Sequence, residues 1–377
     1  MVKSYHLMAT AAAGVEALVG KELRQLGYDA QVENYRVRFE GTQADILRSN
    51  IWLRTADRIK IIVGEFEAKT FEELFEGVKA LNWQDYLNYD SAFPVAGRSH
   101  KSTLFSVPDV QSITKKAIVA KLQEEYHVRT RLPENGFFAQ LEVMIEKDHV
   151  ILTLDTTGDS LFKRGYRVNK GGAPLKENFA AALVLLTNWH PDRPFVDPTT
   201  GSGTLAIEAA LIGRNIAPGL IRSFSIEQMD WFDTNLSDQV RDEAETQADY
   251  DRELNITGYD IDENMVAIAQ ENAKHAGLGQ DIHFAQLAAK DWKTDQVNGV
   301  LVSNPPYGER LGELEAAREL YRQMGTLYAQ YPSWSKYILT SDLDFEKSFG
   351  QKATKKRKLY NGSLRVDYYQ YWGKRVK

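Results

Sequence analysis

The chain has 377 residues, no cysteine and a net charge of −6, and 43% of its residues are hydrophobic. This length exceeds one ordinary hydrophobic core, so we expect two or three domains. The lack of cysteine excludes disulfides, thiolate metal sites and a cysteine nucleophile, and we expect no metal. There is no long apolar run and no apolar signal-peptide core at the start, which favours a cytoplasmic protein without a membrane span. The negative charge argues against a protein that coats nucleic acid over its whole surface.

Residues 1–65 carry the pattern of a ferredoxin-like domain. Apolar periodicity predicts strands in YHLMAT, AQVENYRVRFEG and RIKIIVGEFEA, and helices in GVEALVGKELRQLG and QADILRSNIWLRTA. We expect Gly27 to end the first helix. The resulting order of elements, β-α-β-β-α-β, is that of the ferredoxin-like fold.

Residues 66–158 predict a second, small α+β unit. Helices are indicated over TFEELFEGVKAL and PDVQSITKKAIVAKLQEEY, and two strands, FFAQLEVMIEKD and HVILTLDTTG, close the unit. Between the helices lies FPVAGRSHKSTL, a proline-containing basic stretch to which we assign no strand. Its Arg98 and Lys101 are candidate surface cations.

Basic residues are concentrated in two places on this acidic chain. The connector that opens residues 159–190 has five Lys/Arg and no acid between Leu161 and Lys176, and a helix follows it. The second place, Lys347 to Lys377, has ten Lys/Arg and one acid. Either stretch could simply be solvated, but a local basic patch also suits a protein that holds RNA phosphates at one face.

Residues 191–377 alternate short apolar strands with helices. Strands are indicated in PFVDP, NITGYD, IHFAQ, GVLVSN and KYILTS, and helices over 204–213, 263–276 and 313–329. This pattern predicts an α/β domain with an open parallel sheet covered on both faces. The pair Asn361-Gly362 between two alternating runs predicts a hairpin that adds an antiparallel strand. We assign no role to the acidic insertion 217–255.

A glycine-rich turn follows the first of these strands, in FVDPTTGSGTLAIEAALIG. Gly201 and Gly203 allow a sharp turn and a close approach to a ligand, and the helix that begins near Thr204 offers unpaired N–H groups. The spacing also meets the dinucleotide fingerprint, so this motif alone is weak. Asp197, at the strand end, is either a loop carboxylate or a cofactor ligand. The next strand ends at Asp260, with Asp262 close by, and such acids accept hydrogen bonds from ribose hydroxyls.

A third strand ends in Asn304-Pro305-Pro306-Tyr307. The exocyclic amino group of a nucleobase is a poor nucleophile because its lone pair is delocalised into the ring. The side-chain oxygen of Asn304 and the carbonyl of Pro305 can accept its two hydrogens, and the prolines fix the backbone. Tyr307 can stack on a base that has been flipped out. The alternative interpretation is a Pro-Pro turn in which the asparagine caps a strand.

Together these motifs resemble class I S-adenosylmethionine-dependent methyltransferases that modify exocyclic nitrogens. The matching segments are DPTTGSGT (197–204), GYDIDENMVAIAQENAKHAGL (258–278) and SNPPYGERLG (303–312). More narrowly, LFKRGYR (161–167) and APLKENFAAALV (173–184) resemble the linker of THUMP-domain RNA methyltransferases, and above all of bacterial enzymes that make N2-methylguanosine in 23S ribosomal RNA. The resemblance implies a Rossmann-like sheet with an antiparallel C-terminal strand, preceded by ferredoxin-like and THUMP domains. It divides the chain into 1–65 (ferredoxin-like), 66–158 (THUMP-like), 159–190 (basic linker and leading helix) and 191–377 (methyltransferase).

The resemblance also implies roles for individual residues. S-adenosylmethionine would be the cofactor, and its site would comprise Asp197, Pro198, Thr200, Gly201, Ser202, Gly203, Thr204, Asp260, Asp262 and Asn178. The segment from Pro174 to Asn178 would border it. The catalytic residues would be Asn304, Pro305, Pro306 and Tyr307. RNA would contact Lys163, Arg164, Arg167, Arg98 and Lys101. Where the family often has an acid for adenine, this chain reads HFAQLAAKDW, so we expect backbone contacts around Gln286 and Leu287.

Three readings of the function remain open at the level of sequence. The first is methylation of guanine N2 in RNA, with 23S ribosomal RNA as the expected partner. The second is an N-methyltransferase of another planar nitrogen, such as DNA adenine N6, tRNA guanine N2 or protein glutamine. The third is an RNA-binding protein without activity, against which the intact set of Asp, Gly and Asn residues argues.

Overall fold

The computed structural model describes residues 3–168, 175–308 and 313–376. The chain forms two compact units, each with its own seven-stranded sheet. Unit 1 comprises Met1–Ala11, Val19–Leu161 and Arg222–Glu243, and unit 2 comprises Ala12–Leu18, Phe162–Ile221 and Ala244–Lys377. Among the described residues, no helix is long and apolar enough to cross a membrane.

The first half of the unit 1 sheet has the ferredoxin-like order predicted from the sequence. Its elements are β1 (Tyr5–Thr10), α1 (Glu16–Gln25), β2 (Gln31–Glu33), β3 (Arg36–Gly41), α2 (Gln43–Trp52) and β4 (Arg58–Glu67). The strands lie in the order β2-β3-β1-β4, and β1 is antiparallel to both of its neighbours. Gly27 has φ +94°, a left-handed conformation that suits glycine after a helix end.

The second half of the unit 1 sheet continues the first without a break. Its elements are α3 (Phe71–Lys79), β5 (Val95–His100), α4 (Val107–Glu125), β6 (Leu141–Glu146) and β7 (His149–Asp155). β4 pairs with β7, so one sheet runs β2-β3-β1-β4-β7-β6-β5. The sequence pattern gave no strand at β5, which pairs in parallel with β6 at the sheet edge. Its sequence VAGRSH has no apolar face, so only tertiary pairing makes it a strand.

The insertion in the C-terminal half of the chain contributes its middle to unit 1. Arg222–Glu243 contains most of α7 (Asn235–Thr246). Trp231 stacks on Tyr5 with ring centroids 5.9 Å apart, and Gln43 Nε2 donates to the Trp231 carbonyl at 3.0 Å. Arg48 Nη2 donates to Glu243 Oε2 at 2.8 Å. These contacts give the insertion, for which the sequence suggested no role, a structural part in unit 1.

The sheet of unit 2 is mostly parallel, as expected. Its strands are β8 (Phe195–Asp197), β9 (Ile256–Asp260), β10 (Ile282–Gln286), β11 (Val300–Ser303), β12 (Ser335–Thr340), β13 (Lys355–Asn361) and β14 (Leu364–Tyr371). Its remaining helices are α5 (Glu177–Leu185), α6 (Thr204–Gly213), α8 (Glu263–His275), α9 (Glu313–Tyr328) and α10 (Phe345–Phe349). The strand order is β10-β9-β8-β11-β12-β14-β13, and β14 is antiparallel to β12. The predicted hairpin and its added antiparallel strand are confirmed.

Helices cover both faces of this sheet because successive strand residues point to opposite sides. In β11, Val300 and Val302 join the core formed with α5, α6 and α8, whereas Leu301 joins the core formed with α9 and α10. The parallel pairing brings the ends of β8, β9 and β11 to one edge. Ligands of such sheets lie across the carboxyl ends of the strands, so this edge is where a site is expected.

Candidate active site

The glycine-rich turn between β8 and α6 has the conformation that its sequence predicts. Gly201 has φ +52° and Gly203 has φ +84°, values that L side chains rarely adopt. A Cβ on Gly203 would lie 3.0 Å from Ala269 Cβ and 3.1 Å from Phe284 Cζ, so this glycine is required for packing. A Cβ on Gly201 would meet only Met265 Cε, at 4.0 Å. Gly201 therefore faces open space rather than core.

Asp260, at the end of β9, holds this turn against the neighbouring strand. Its Oδ2 accepts the Gly201 N–H at 2.9 Å, and its Oδ1 accepts the Asp262 N–H at 3.0 Å. Each carboxylate oxygen has two lone pairs, so both oxygens keep capacity for a further donor. Asp260 is thus fixed in orientation and still able to bind a ligand.

Asp197, at the end of β8, is buried beneath the turn. Its side chain is 1% exposed, and Oδ1 accepts the Thr199 N–H at 3.2 Å. Burial, and to a smaller extent the negative charge of Asp260, raise the pKa of Asp197 to about 8. A cationic group bound nearby would favour the ionised carboxylate.

Residues 304–307, which directly follow β11, are held together by a hydrogen bond between two of their side chains. The Tyr307 hydroxyl donates to Asn304 Oδ1 at 2.5 Å. This bond fixes the Asn304 amide and leaves its oxygen a second lone pair. Pro305 is buried and Pro306 is exposed. The two prolines fix the backbone between the bonded residues.

Tyr321, a buried residue of α9, is hydrogen-bonded to this segment. Its hydroxyl donates to the Pro306 carbonyl at 2.7 Å and lies 3.0 Å from Thr340 Oγ1 at the end of β12. Burial raises the pKa of Tyr321 to about 12, so the hydroxyl stays protonated as a donor at neutral pH. Among the described residues, no donor engages the carbonyl of Pro305. Pro305 itself lines the cavity at this edge of the sheet.

The three strand ends meet at one cavity of about 1150 Å³. Gly201 and Asp260 line one part of it, and Asn304, Pro305, Pro306 and Tyr307 line another. Pro198, Leu175 and Lys176 also border it. This volume is slightly above the range of about 300–1,000 Å³ that is usual for small-molecule and cofactor sites, so the cavity has room for more than a small ligand. Within the described residues, no group of three His, Cys, Asp or Glu side chains could hold a metal ion.

Several residues that the sequence assigned to the cofactor are not among those that line the cavity. Thr200, Ser202 and Thr204 are buried in the turn, where Ser202 Oγ lies 3.2 Å from Thr204 Oγ1. Asn178 is buried near the start of α5. Asp262 caps α8 by accepting the Asn264 N–H at 2.9 Å. These residues shape the site, and Pro174 lies outside the described residues.

The basic linker contains two arginines that face inward. Arg164 is 3% exposed, and its Nε lies 3.4 Å from Glu208 Oε1 in α6. Arg167 Nη2 donates to the Leu175 carbonyl and to Thr204 Oγ1, both at 2.9 Å. Since both guanidinium groups bond inside unit 2, they stabilise the linker against α6. Lys163 is exposed.

The other two candidate RNA contacts lie in unit 1. Lys101 is exposed just after β5, with φ +50°. The Arg98 side chain is 60% exposed and its Nε lies 3.3 Å from Glu142 Oε1. Both cations are therefore accessible from solvent.

The sequence interpretation missed several parts of the cavity wall. Ile261, Ala288, Ala289 and Lys290 line it beside Asp260. The backbone around Gln286 and Leu287 was expected to contact the adenine in place of an acidic side chain. Part of this backbone is already hydrogen-bonded, since the Leu287 N–H donates to the Asp260 carbonyl at 2.9 Å.

Another missed part is the tip of the hairpin, where Asn361, Gly362 and Leu364 reach the cavity. A signal for this was present. An antiparallel hairpin beside β12 must place its turn at the carboxyl edge of the sheet.

Family models cover almost the whole chain. A model described as "RlmL ferredoxin-like domain" matches residues 6–60, and the THUMP domain model matches 68–155. A model described as "RMKL-like, methyltransferase domain" matches residues 164–370, more than half of the chain. The chain belongs to the RMKL-like methyltransferase family. The expected family and the α/β fold class with ferredoxin-like and THUMP domains are confirmed.

Relatives in this family match over the full chain. A Bacillus subtilis (strain 168) protein named "Putative RNA methyltransferase YpsC" is 54% identical, over 99% of this chain and 97% of its own length. The crystal structure of SMU.472 complexed with SAH superimposes with a TM-score of 0.95 at 57% identity, and the match covers 100% of both chains. The ribosomal RNA large subunit methyltransferase K/L of Syntrophotalea carbinolica is 34% identical over 94% of this chain. The chain spans about half the length of that relative (52%).

Proposed function

We propose that this RMKL-like methyltransferase transfers a methyl group from S-adenosylmethionine to the exocyclic N2 of a guanine in ribosomal RNA of the large subunit. One observation carries the proposal. Gly201 and Asp260, on the side proposed for the cofactor, share one cavity with Asn304, Pro305 and Tyr307. A methyl donor and an amino acceptor must lie within contact distance for transfer, and a shared cavity allows the two groups to approach each other.

The residues of the turn fit S-adenosylmethionine. The space beside Gly201 would be filled by a Cβ, so a ligand can approach the backbone there. The Asp260 carboxylate is held by two N–H groups and suits a pair of ribose hydroxyls. The buried Asp197 carboxylate is close enough to the turn to favour a cationic amino group. When bound, the cofactor supplies an electrophilic methyl group.

The Asn304 segment would make the guanine amino group reactive. Asn304 Oδ1 accepts one amino hydrogen with its free lone pair, while the Tyr307 hydroxyl holds the amide in place. The Pro305 carbonyl accepts the other hydrogen, since Tyr321 engages the neighbouring Pro306 carbonyl. Two acceptors localise the lone pair on nitrogen and stabilise the positive charge that develops there. The nitrogen then loses one proton to water, so no dedicated base is required.

Three features favour RNA as the substrate. The THUMP model matches unit 1 residues, and two relatives are named as methyltransferases of RNA or of ribosomal RNA. Arg98, Lys101 and Lys163 are exposed cations. Cations of this kind bind phosphates, and their contribution to affinity falls as salt rises. A ribosomal RNA substrate also places the protein in the cytoplasm.

The test is transfer of a labelled methyl group to large-subunit ribosomal RNA, tRNA, DNA and protein, each isolated separately from cells that lack the protein, with digestion of the nucleic acids to nucleosides. The proposal predicts label in N2-methylguanosine from the ribosomal RNA. Asn304→Ala should lower kcat by at least about a hundredfold, because it removes a group that stabilises the developing charge. Affinity for S-adenosylhomocysteine should stay within about twofold, since Asn304 contacts the target side.

The matched control is Asp260→Ala, which should weaken cofactor binding instead. Equal loss of cofactor affinity in the two variants would contradict the division of roles. Label in adenine of DNA, in tRNA guanine or in a protein glutamine would support the second reading from the sequence. No transfer to any of these substrates would support a binding protein without activity.

A further inference from the structure

One face of the C-terminal hairpin carries a row of cations. In antiparallel pairs, directly opposed residues share a face, and the register opposes Lys356 to Tyr369, Lys358 to Asp367 and Tyr360 to Arg365. Lys356, Lys358 and Arg365 therefore lie on the same face. We define these three residues as the hairpin cation row.

Among the residues that the structure describes, Asp367 is the one carboxylate that forms ion pairs with the row. Asp367 is 1% exposed, and it lies 3.7 Å from Lys356 Nζ and 3.4 Å from Arg365 Nη2. Lys358 Nζ lies 5.3 Å from the centroid of the Tyr360 ring, and within the described residues no carboxylate pairs with it. One buried carboxylate among three cations leaves the face with excess positive charge.

The row leads to the cavity. Leu364 lines the cavity and directly precedes Arg365, and Asn361 lines it three residues after Lys358. With a rise of about 3.3 Å per residue, Lys358 lies about 10 Å and Lys356 about 17 Å from the rim along β13. If the target nucleotide of an RNA strand occupied the cavity, the phosphates next to that nucleotide would lie over the face that carries the hairpin cation row.

Protection of the sheet edge is an alternative explanation for the lysines of the row, but it does not account for Arg365. β13 is the edge strand of the unit 2 sheet, and lysines on such strands block pairing with other chains. Arg365, however, lies on β14, which has a strand on either side. A cation at that position does not protect an edge, but it extends the row to the cavity rim.

We propose that the hairpin cation row binds the phosphates of the single-stranded RNA that flanks the methylated nucleotide. The occupant is RNA because the face is positively charged and continuous with the cavity in which the base would react. This inference rests on the proposed function. It assigns substrate positioning to an element of the methyltransferase domain itself, in addition to the THUMP-containing unit.

The experiment compares two double variants of the full chain. Lys356→Gln with Lys358→Gln removes two charges from the row. Lys274→Gln with Lys293→Gln removes two charges from exposed positions, one in α8 and one after β10 at the opposite side of the sheet. For each variant, KM for RNA is measured from 50 to 200 mM salt, together with kcat, affinity for S-adenosylhomocysteine and melting temperature.

The row variant should have a raised KM for RNA and unchanged kcat, cofactor affinity and melting temperature. Two lost phosphate contacts should reduce the salt slope by about 1.4, at roughly 0.7 per contact for single strands. Its defect should therefore shrink about sevenfold between 50 and 200 mM salt. The control pair should match the wild type, and Lys356→Arg with Lys358→Arg should restore the wild-type slope.

An unchanged slope in the row variant, or the same change in the control pair, would overturn the inference while leaving the proposed function intact. Aggregation with an unchanged slope would show that the lysines protect the edge, which also overturns it. If the wild-type protein methylates no RNA, the proposed function fails and the inference fails with it.

Discussion

Substitution of the two turn glycines by alanine should separate ligand binding from packing. Both positions have positive φ, which costs an L residue about 1–2 kcal/mol, partly offset by about 0.4–1 kcal/mol from the less flexible unfolded chain. At Gly201 the new Cβ meets only Met265 Cε at 4.0 Å, so Gly201→Ala should cost about 1 kcal/mol of stability. At Gly203 it lies 3.0 Å from Ala269 Cβ, and overpacking adds about 1–3 kcal/mol. Gly203→Ala should therefore cost about 3 kcal/mol.

Calorimetry measures both effects on the same samples. The melting temperature of the methyltransferase domain should fall by about 3 °C for Gly201→Ala and by about 9 °C for Gly203→Ala. Binding of S-adenosylhomocysteine should weaken at least about tenfold in Gly201→Ala, because its methyl group projects into the cavity beside the proposed cofactor. Wild-type binding by Gly201→Ala would refute the cofactor assignment of this side of the cavity. Equal stability of the two variants would refute the packing interpretation of Gly203.

Three further predictions concern buried groups. Since burial raises the folded-state pKa of Asp197 to about 8, above the unfolded value near 4, the protonated form is favoured by folding and stability falls as pH rises between these values. Urea unfolding should show the wild type losing about 1.4 kcal/mol per pH unit relative to Asp197→Asn between pH 5 and 7, and parallel curves would contradict this. Tyr321→Phe removes the donor to the Pro306 carbonyl and should lower kcat about tenfold with unchanged cofactor affinity, whereas a loss confined to cofactor binding would exclude a positioning role. Arg164→Met leaves Glu208 buried without its cationic partner and should cost about 3–5 kcal/mol in chemical denaturation, while the double change Arg164→Met with Glu208→Leu should cost less.

Local sequence patterns were sufficient to predict most strands of the methyltransferase sheet. Its strands end in Asp197, Asp260 and Ser303, and the rule that ligands lie at the carboxyl edge predicts from the sequence that these ends lie together. The wall formed by Asn361 and Gly362 follows from the same rule, once the hairpin is placed antiparallel to β12.

Tertiary contacts decided what local patterns could not. β5 has no apolar periodicity and exists because β6 pairs with it. The basic linker was interpreted as a surface for RNA, yet Arg164 pairs with Glu208, 44 residues further along the chain. A hint was present in the sequence, because Glu208 is the one charged residue in the otherwise apolar helix TLAIEAALIG. A buried charge requires a partner, but the sequence does not identify which of several arginines it is.

The central claim is methyl transfer to the exocyclic amino group of guanine in RNA, and nucleoside mass spectrometry tests it most directly. Large-subunit ribosomal RNA from cells lacking the protein is incubated with the purified chain and isotopically labelled S-adenosylmethionine, then digested to nucleosides. The account predicts the labelled methyl group in N2-methylguanosine, and its loss with Asn304→Ala. Label on a ring nitrogen, on the ribose or on adenine, or wild-type activity in Asn304→Ala, would contradict it.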